Sequence, residues 1–210
     1  GEILCALTTP TYDPDNVPDF QADTTGAYKG VYLNRFLQAT YPPGSIYKIV
    51  TCAAALDCVP DIESRTFTCN GKYTYGTEAI TCERAHGTCN LKQALAVSCN
   101  CAMAQLSELV GRKNMQKYVE QFQVNQRIRF DGVTTAAGNY DISDAGAASF
   151  AWSCIGQHTD LVNPCRFMVF MGQIAGGGSA AVPYLVSQVE SGAEVVYQAE
   201  TTYTPQVMSQ

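Results

Sequence analysis

The stretch that decides the fold reads Asn34-Arg35-Phe36-Leu37-Gln38-Ala39-Thr40-Tyr41-Pro42-Pro43-Gly44-Ser45-Ile46-Tyr47-Lys48-Ile49-Val50-Thr51. Tyr41-Pro42-Pro43-Gly44 interrupts regular backbone, and the Ala-rich apolar run from Ser45 to Asp57 then reads as a buried helix with Pro-Gly-Ser at its start. Residues three apart on a helix share a face, with Cβ atoms about 5–6 Å apart, so Ser45 and Lys48 meet. A hydroxyl becomes a nucleophile only when a base removes its proton, and a lysine serves as that base only where burial holds it neutral. Ile46, Tyr47, Ile49 and Val50 supply an apolar setting, and the helix start offers free N–H groups to a developing oxyanion. Alone, Ser-x-x-Lys arises often by chance, and a capping serine beside a surface lysine is the commoner meaning.

Working outward, residues 2–8 have a strand-like pattern that ends in the turn cluster Thr9-Pro10-Thr11-Tyr12-Asp13-Pro14-Asp15-Asn16. A polar, loop-like stretch fills the gap to about Thr40. Downstream, residues 66–90 read as short strands and loops, and Asn90 caps a helix through Val97. Further helices are predicted over 99–110, stopped by Gly111, over 112–122, and over 163–175, with Pro164 in the first turn and Gly176-Gly177-Gly178 as the stop. Residues 130–143 read as loop. Residues 181–188 and 193–198 read as strands joined by a hairpin at Ser191-Gly192.

With 210 residues, 13 basic against 19 acidic side chains and 46% hydrophobic content, the chain is globular and large enough for a real core. A net charge of −6 argues against nucleic acid as partner. No apolar run reaches the ~18–20 residues that a membrane span needs.

Ser98-Cys99-Asn100 places a second hydroxyl and an amide at a helix junction, and Ser-x-x-Lys with a Ser-x-Asn-type second motif belongs to penicillin-binding proteins and serine β-lactamases. The run from Asn34 to Thr51 closely resembles the nucleophile segment of class B penicillin-binding proteins, the monofunctional transpeptidases. Residues 1–16 resemble their early strand and its Pro-x-Tyr-Asp-Pro turn. The segment from His86-Gly87 to Asn100 resembles the approach to their second motif. Ile155-Gly156-Gln157 to Pro164, and Gly176 to Leu185, resemble their later helix and the strand after it.

That resemblance implies an α/β (α+β) fold of the penicillin-binding protein and serine β-lactamase type: a central antiparallel sheet flanked by helices, with an all-helical subdomain. Residues 1–210 would be a partial transpeptidase domain, with a helical and zinc-loop subdomain over about 59–150. The implied reaction is D,D-transpeptidation of peptidoglycan stem peptides, with β-lactams trapped on the same serine. Ser45 would be the nucleophile and Lys48 its base, while Ser98 would relay a proton to the leaving amine. Asn100 would hold the substrate amide and orient Lys48. The family's third motif, Lys-Thr-Gly, is absent, Lys117 being the last lysine, so the chain is expected to be truncated, lacking the first strand and the third-motif strands. An extracytoplasmic location, a membrane anchor outside this chain and a cell-wall glycosyltransferase partner are also implied, with no organic cofactor.

The ten cysteines pose a separate question. Cys69, Cys82, His86 and Cys99 offer three thiolates and one imidazole, a set suited to a closed, structural Zn2+ site, and their spacing resembles a metal site of some class B members. A Cys69–Cys82 disulfide and unrelated buried thiols are the alternatives, with Cys89 as a substitute ligand. Cys5, Cys52, Cys58, Cys101, Cys154 and Cys165 read as small core residues. His158 reads as a loop residue, Trp152 and Tyr47 as core, and Asp13, Asp15, Asp141 and Asp144 as turn formers. Rival functions are a β-lactam sensor, a serine β-lactamase, or a degenerate zinc-clamped cell-wall scaffold.

Overall fold

The computed structural model describes residues 1–208. Helices carry most of the regular structure: α1 (Arg35–Gln38), a 3-10 turn (Gly44–Tyr47) running into α2 (Lys48–Cys58), α3 (Leu91–Ala96), α4 (Asn100–Val110), α5 (Arg112–Phe122), α6 (Ala147–Ser153) and α7 (Pro164–Ala175). The strands are β1 (Thr66–Cys69), β2 (Lys72–Tyr75), β3 (Glu78–Thr81), β4 (Gly87–Asn90), β5 (Arg129–Phe130), β6 (Val133–Thr134), β7 (Gln188–Ser191) and β8 (Glu194–Gln198).

The centre of the molecule is α2, whose Val50, Ala54 and Ala55 are fully buried against residues of α4 and α5 such as Met103, Leu106, Met115 and Val119. Small side chains on α2 allow this close approach, and burial of the apolar faces supplies the main driving force. The helix ends follow their caps. Asn90 and Gln93 form a reciprocal capping box at α3, and the Asn163 side chain accepts from Arg166 N at the start of α7, with Pro164 in the first turn.

Among the described residues the strands pair as four separate two-stranded antiparallel sheets, where one central sheet was expected. The expected strand over 2–8 is reduced to one parallel bridge, Glu2 with Tyr184, and Leu4, Cys5 and Leu7 are exposed. The expected strand over 181–188 is likewise displaced: Pro183 lacks a ladder donor, Ala181 makes only an isolated bridge to Tyr203, and β7 begins at Gln188. The hairpin turn at Ser191-Gly192 is where the sequence placed it, with Gly192 at φ +66°. Helices α1 and α6 were not expected.

Two arrangements position the functional residues. The β2–β3 hairpin is inserted between β1 and β4, which themselves pair with Cys69 opposite Gly87, so both ends of the inserted hairpin return to one place. Asn163, fully buried, donates its side-chain amide to the carbonyls of Phe36, Leu37 and Ala39 at 3.2, 3.0 and 2.8 Å, and so holds the segment that leads into Pro42-Pro43-Gly44-Ser45. Asn163→Ala would orphan these carbonyls and remove the α7 cap. A loss of about 2–4 kcal/mol is expected, read as a lower urea midpoint with an unchanged m-value.

Candidate active site and thiol cluster

Ser45 is exposed in the 3-10 turn, while Lys48 at the start of α2 is 1% exposed. The turn reaches this position because Gly44 adopts φ +57° and donates its N–H to Gly156 O at 2.9 Å. Gly156, at φ +79°, has no room for a side chain, since a Cβ there would lie 2.5 Å from Gly44 O and 2.6 Å from Tyr47 Cβ. The Pro-Pro-Gly-Ser signal thus marks a backbone-to-backbone contact, to which the Ile155-Gly156-Gln157 stretch is the other half.

Lys48 Nζ lies 3.2 Å from Ser45 Oγ, 2.7 Å from Ser98 Oγ and 2.7 Å from Ser98 O. Burial pushes its ammonium below the ordinary lysine range, and the nearby thiols of Cys82, Cys99 and Cys52 act in the opposite direction. A neutral amine has two N–H donors and one lone pair. Two donors satisfy Ser98 Oγ and O, which leaves the lone pair for the Ser45 proton.

Ser98 holds a left-handed backbone, φ +53°, rare for a residue with a Cβ. That conformation turns both its carbonyl and its hydroxyl onto Lys48, and no local sequence pattern signals the carbonyl's part. Asn100, by contrast, donates its side-chain amide to Thr81 O at 2.8 Å. It was expected to orient Lys48. As the first residue of α4 it reaches the end of β3 instead, and the three hydrogen bonds of Lys48 go to Ser45 and Ser98.

Cys69, Cys82, His86 and Cys99 come together with their ligand atoms all within 4.8 Å of one another. Cys69 ends β1, Cys82 follows β3, His86 precedes β4 and Cys99 precedes α4, so the nested hairpin is what converts their separation in sequence into proximity. The Cys82 and Cys99 sulfurs are 3.8 Å apart, and Cys69 Sγ is 3.5 Å from His86 Nδ1. A zinc tetrahedron with ordinary bond lengths has edges of about 3.8 Å between sulfurs and about 3.5 Å between sulfur and nitrogen. The residues present therefore fit the metal. All ten cysteines are free thiols, with no Cys69–Cys82 disulfide.

The first N–H groups of α4 point into this cluster, Cys101 N donating to Cys82 Sγ and Ala102 N to Cys99 Sγ, each at 3.3 Å. At Cys99 the Ala102 N–H favours the thiolate, the form a metal binds. At Cys69 the desolvation that raises a thiol is outweighed by N–H groups of His86 and Gly71 and by the His86 and Cys99 side chains, bringing it down to about 6. At Cys99 burial dominates and pushes the thiol up to about 12. Cys101, read from sequence as core, is buried and has its sulfur 3.5 Å from Cys82 Sγ, a fourth thiol at the cluster's edge. Cys89 instead faces Phe67 O, in the β1–β4 pair.

Tyr47 is buried and stacks on Tyr140, and His158 is an exposed loop residue. Asp13 and Asp141 accept backbone N–H groups two residues on, as turn residues do.

The penicillin binding protein transpeptidase domain family matches residues 1–210 of the chain. Among curated proteins, the peptidoglycan D,D-transpeptidase PbpA of Mycobacterium tuberculosis is 27% identical over 99% of this chain and 46% of its own length. Stage V sporulation protein D of Bacillus subtilis is 26% identical over 90% of this chain and 29% of its own. The chain thus spans less than half the length of these relatives. Among solved structures, a ceftriaxone acyl-enzyme complex of M. tuberculosis penicillin-binding protein A superposes with a TM-score of 0.83, at 24% identity, over 97% of this chain and 49% of that one. The D,D-transpeptidase domain of an Eggerthella lenta peptidoglycan glycosyltransferase gives 0.81 at 25% identity, over 97% and 53%. The mixed helix and sheet architecture is that of these domains, and the chain belongs to the penicillin binding protein transpeptidase domain family.

Proposed function

We propose that this chain is the greater part of the catalytic domain of a class B peptidoglycan D,D-transpeptidase, with Ser45 as nucleophile. The observation that carries the reading is the buried Lys48 amine touching both Ser45 Oγ and Ser98 Oγ. Lys48, neutral, takes the Ser45 proton as Oγ adds to the carbonyl of the penultimate D-Ala of a stem peptide. The C–N bond to the terminal D-Ala breaks, and the proton passes through Ser98 to the departing amine. An amine of a neighbouring stem peptide then attacks the acyl-enzyme and regenerates Ser45. The first turn of the helix presents N–H groups toward the developing oxyanion. Asn100, tied to Thr81, is read as holding the second-motif turn and, through its carbonyl side, the substrate amide.

β-Lactams, which mimic the acyl-D-Ala-D-Ala end, would acylate the same serine. The setting is extracytoplasmic, with a membrane anchor and a glycosyltransferase partner acting alongside. No helix among the described residues is long and apolar enough to cross a membrane.

Cys69, Cys82, His86 and Cys99 would hold Zn2+. Four protein ligands leave no open coordination position, so the ion's contribution is to fix structure. These residues join the β2–β3 hairpin to the start of α4 and thereby keep the Ser98 turn in register with Lys48.

Intact-mass analysis after benzylpenicillin is expected to show one stable adduct on the full-length protein and none on Ser45→Ala, with Lys48→Ala acylated about a hundredfold or more slowly. Rapid loss of the adduct with turnover would mark a β-lactamase, and no adduct would mark a scaffold; either refutes the transpeptidase reading. Elemental analysis is expected to give one zinc per chain, and Cys82→Ser or Cys99→Ser to lose it and melt several degrees lower. Full metal content in both variants would contradict the clamp.

A further inference from the structure

The nucleophile segment has two neighbouring faces. Ser45 and Lys48, three residues apart, carry the chemistry, while Gly44, Tyr47 and Thr51, at spacings of three and four, make up the face beside it. That second face rests on the residues that end α6. Gly44 donates its N–H to Gly156 O at 2.9 Å, Tyr47 lies so close to Gly156 that a Cβ there would meet Tyr47 Cβ at 2.6 Å, and Thr51 Oγ1 donates to Cys154 O at 2.7 Å. Tyr47 and Thr51 are both fully enclosed.

The Thr51 bond is not one that a helix supplies by itself. A hydroxyl inside a helix ordinarily turns back to a carbonyl three or four residues earlier. Ser107, equally buried on α4, does this, donating to Ala104 O at 2.7 Å. Thr51 instead reaches 103 residues along the chain, to Cys154 at the C-terminal end of α6, where backbone carbonyls lack partners within their own helix. Apolar contact between the two helices would be served as well by valine, which has nearly the same shape. What the hydroxyl adds is direction, since hydrophobic contact has none and a hydrogen bond does.

We propose that Thr51 is a positioning residue for acylation: together with the Gly44–Gly156 bond it clasps both ends of the Ser45–Lys48 stretch to the end of α6, and so fixes the rotation of α2 that brings Lys48 Nζ to 3.2 Å from Ser45 Oγ and 2.7 Å from Ser98 Oγ. Ser45 sits one turn from the amine and rolls with it. Ser98 belongs to a separate segment, so a roll of α2 carries Lys48 away from the serine that passes on its proton. The inference rests on the reading that Ser45 is acylated.

The test follows acylation of the full-length protein by a fluorescent penicillin over a range of concentrations, which separates reversible binding from the first-order acylation step. Thr51→Val is expected to slow the acylation step by about fivefold or more with reversible binding unchanged, since a misplacement of about 1 Å between reacting groups is enough for a loss of that size. Thr51→Ala lacks the same hydroxyl and should show the same loss, so the test does not depend on the folding of one variant. Thr51→Ser keeps the hydroxyl and should retain most of the wild-type rate. Ser107→Ala loses an equally buried hydroxyl and should acylate as the wild type does. A wild-type acylation step in Thr51→Val or Thr51→Ala, an equal loss in Thr51→Ser, or an equal loss in Ser107→Ala overturns the proposal. The Lys48 ε-carbon resonance, in protein with 13C-labelled lysine and assigned by its loss in Lys48→Ala, judges the same point without any reaction. It should move in Thr51→Val and stay in place in Ser107→Ala; an unmoved resonance in Thr51→Val overturns the proposal. A wild type that takes no penicillin refutes the acylation reading, while the resonance still decides whether Thr51 sets the place of the amine.

Discussion

Everything in the site depends on one buried amine. Lys48 lies on the buried helix α2, and its Nζ is shared between two serines from distant parts of the chain. An ammonium there is penalised by lost hydration, and that penalty is what makes a lysine usable as a base near neutrality. The surrounding structure can be understood as what keeps the amine in place. Gly44 and Gly156 meet backbone to backbone to set the Ser45 turn, and Ser98 takes a left-handed conformation that directs two oxygens onto the same nitrogen.

A strained residue persists only where its neighbours over-determine it. For Ser98 those neighbours are Cys99, whose N–H donates to Ala94 O and whose sulfur caps α4, and Asn100, tied to the end of β3. The thiol cluster extends the same restraint to β1, β3 and β4, so four chain segments converge within one turn of the second motif. A cysteine is an unusual helix cap. Here its sulfur serves both the helix and the cluster, which explains why the N–H groups of α4 point at sulfur.

Helices with strong end signals were legible in the sequence: α4, α5 and α7 lie within one residue of where Gly111, Asn163, Pro164 and the Gly176 stop place them. The contact between Ser45 and Lys48 was legible because helical spacing alone determines it, and the Cys69, Cys82, His86 and Cys99 set because ligand type and spacing do. Helix α6 was not, since Gly146 offers no side-chain cap and its seven residues are too few to establish a period. The strand expected at 2–8 had the right alternation, but a strand exists through its partners, and only Glu2 has one. The place of Cys101 was invisible for a related reason. Burial beside Cys82 depends on how distant segments pack, and no local pattern encodes it.

The proposed reaction requires that burial hold Lys48 uncharged beside the serine it would deprotonate. The most direct measurement is the titration of Lys48 by NMR in protein with 13C-labelled lysine, assigned by loss of the signal in Lys48→Ala. A midpoint well below the ordinary lysine value of about 10.4 is the predicted result. A midpoint at or above that value would contradict it.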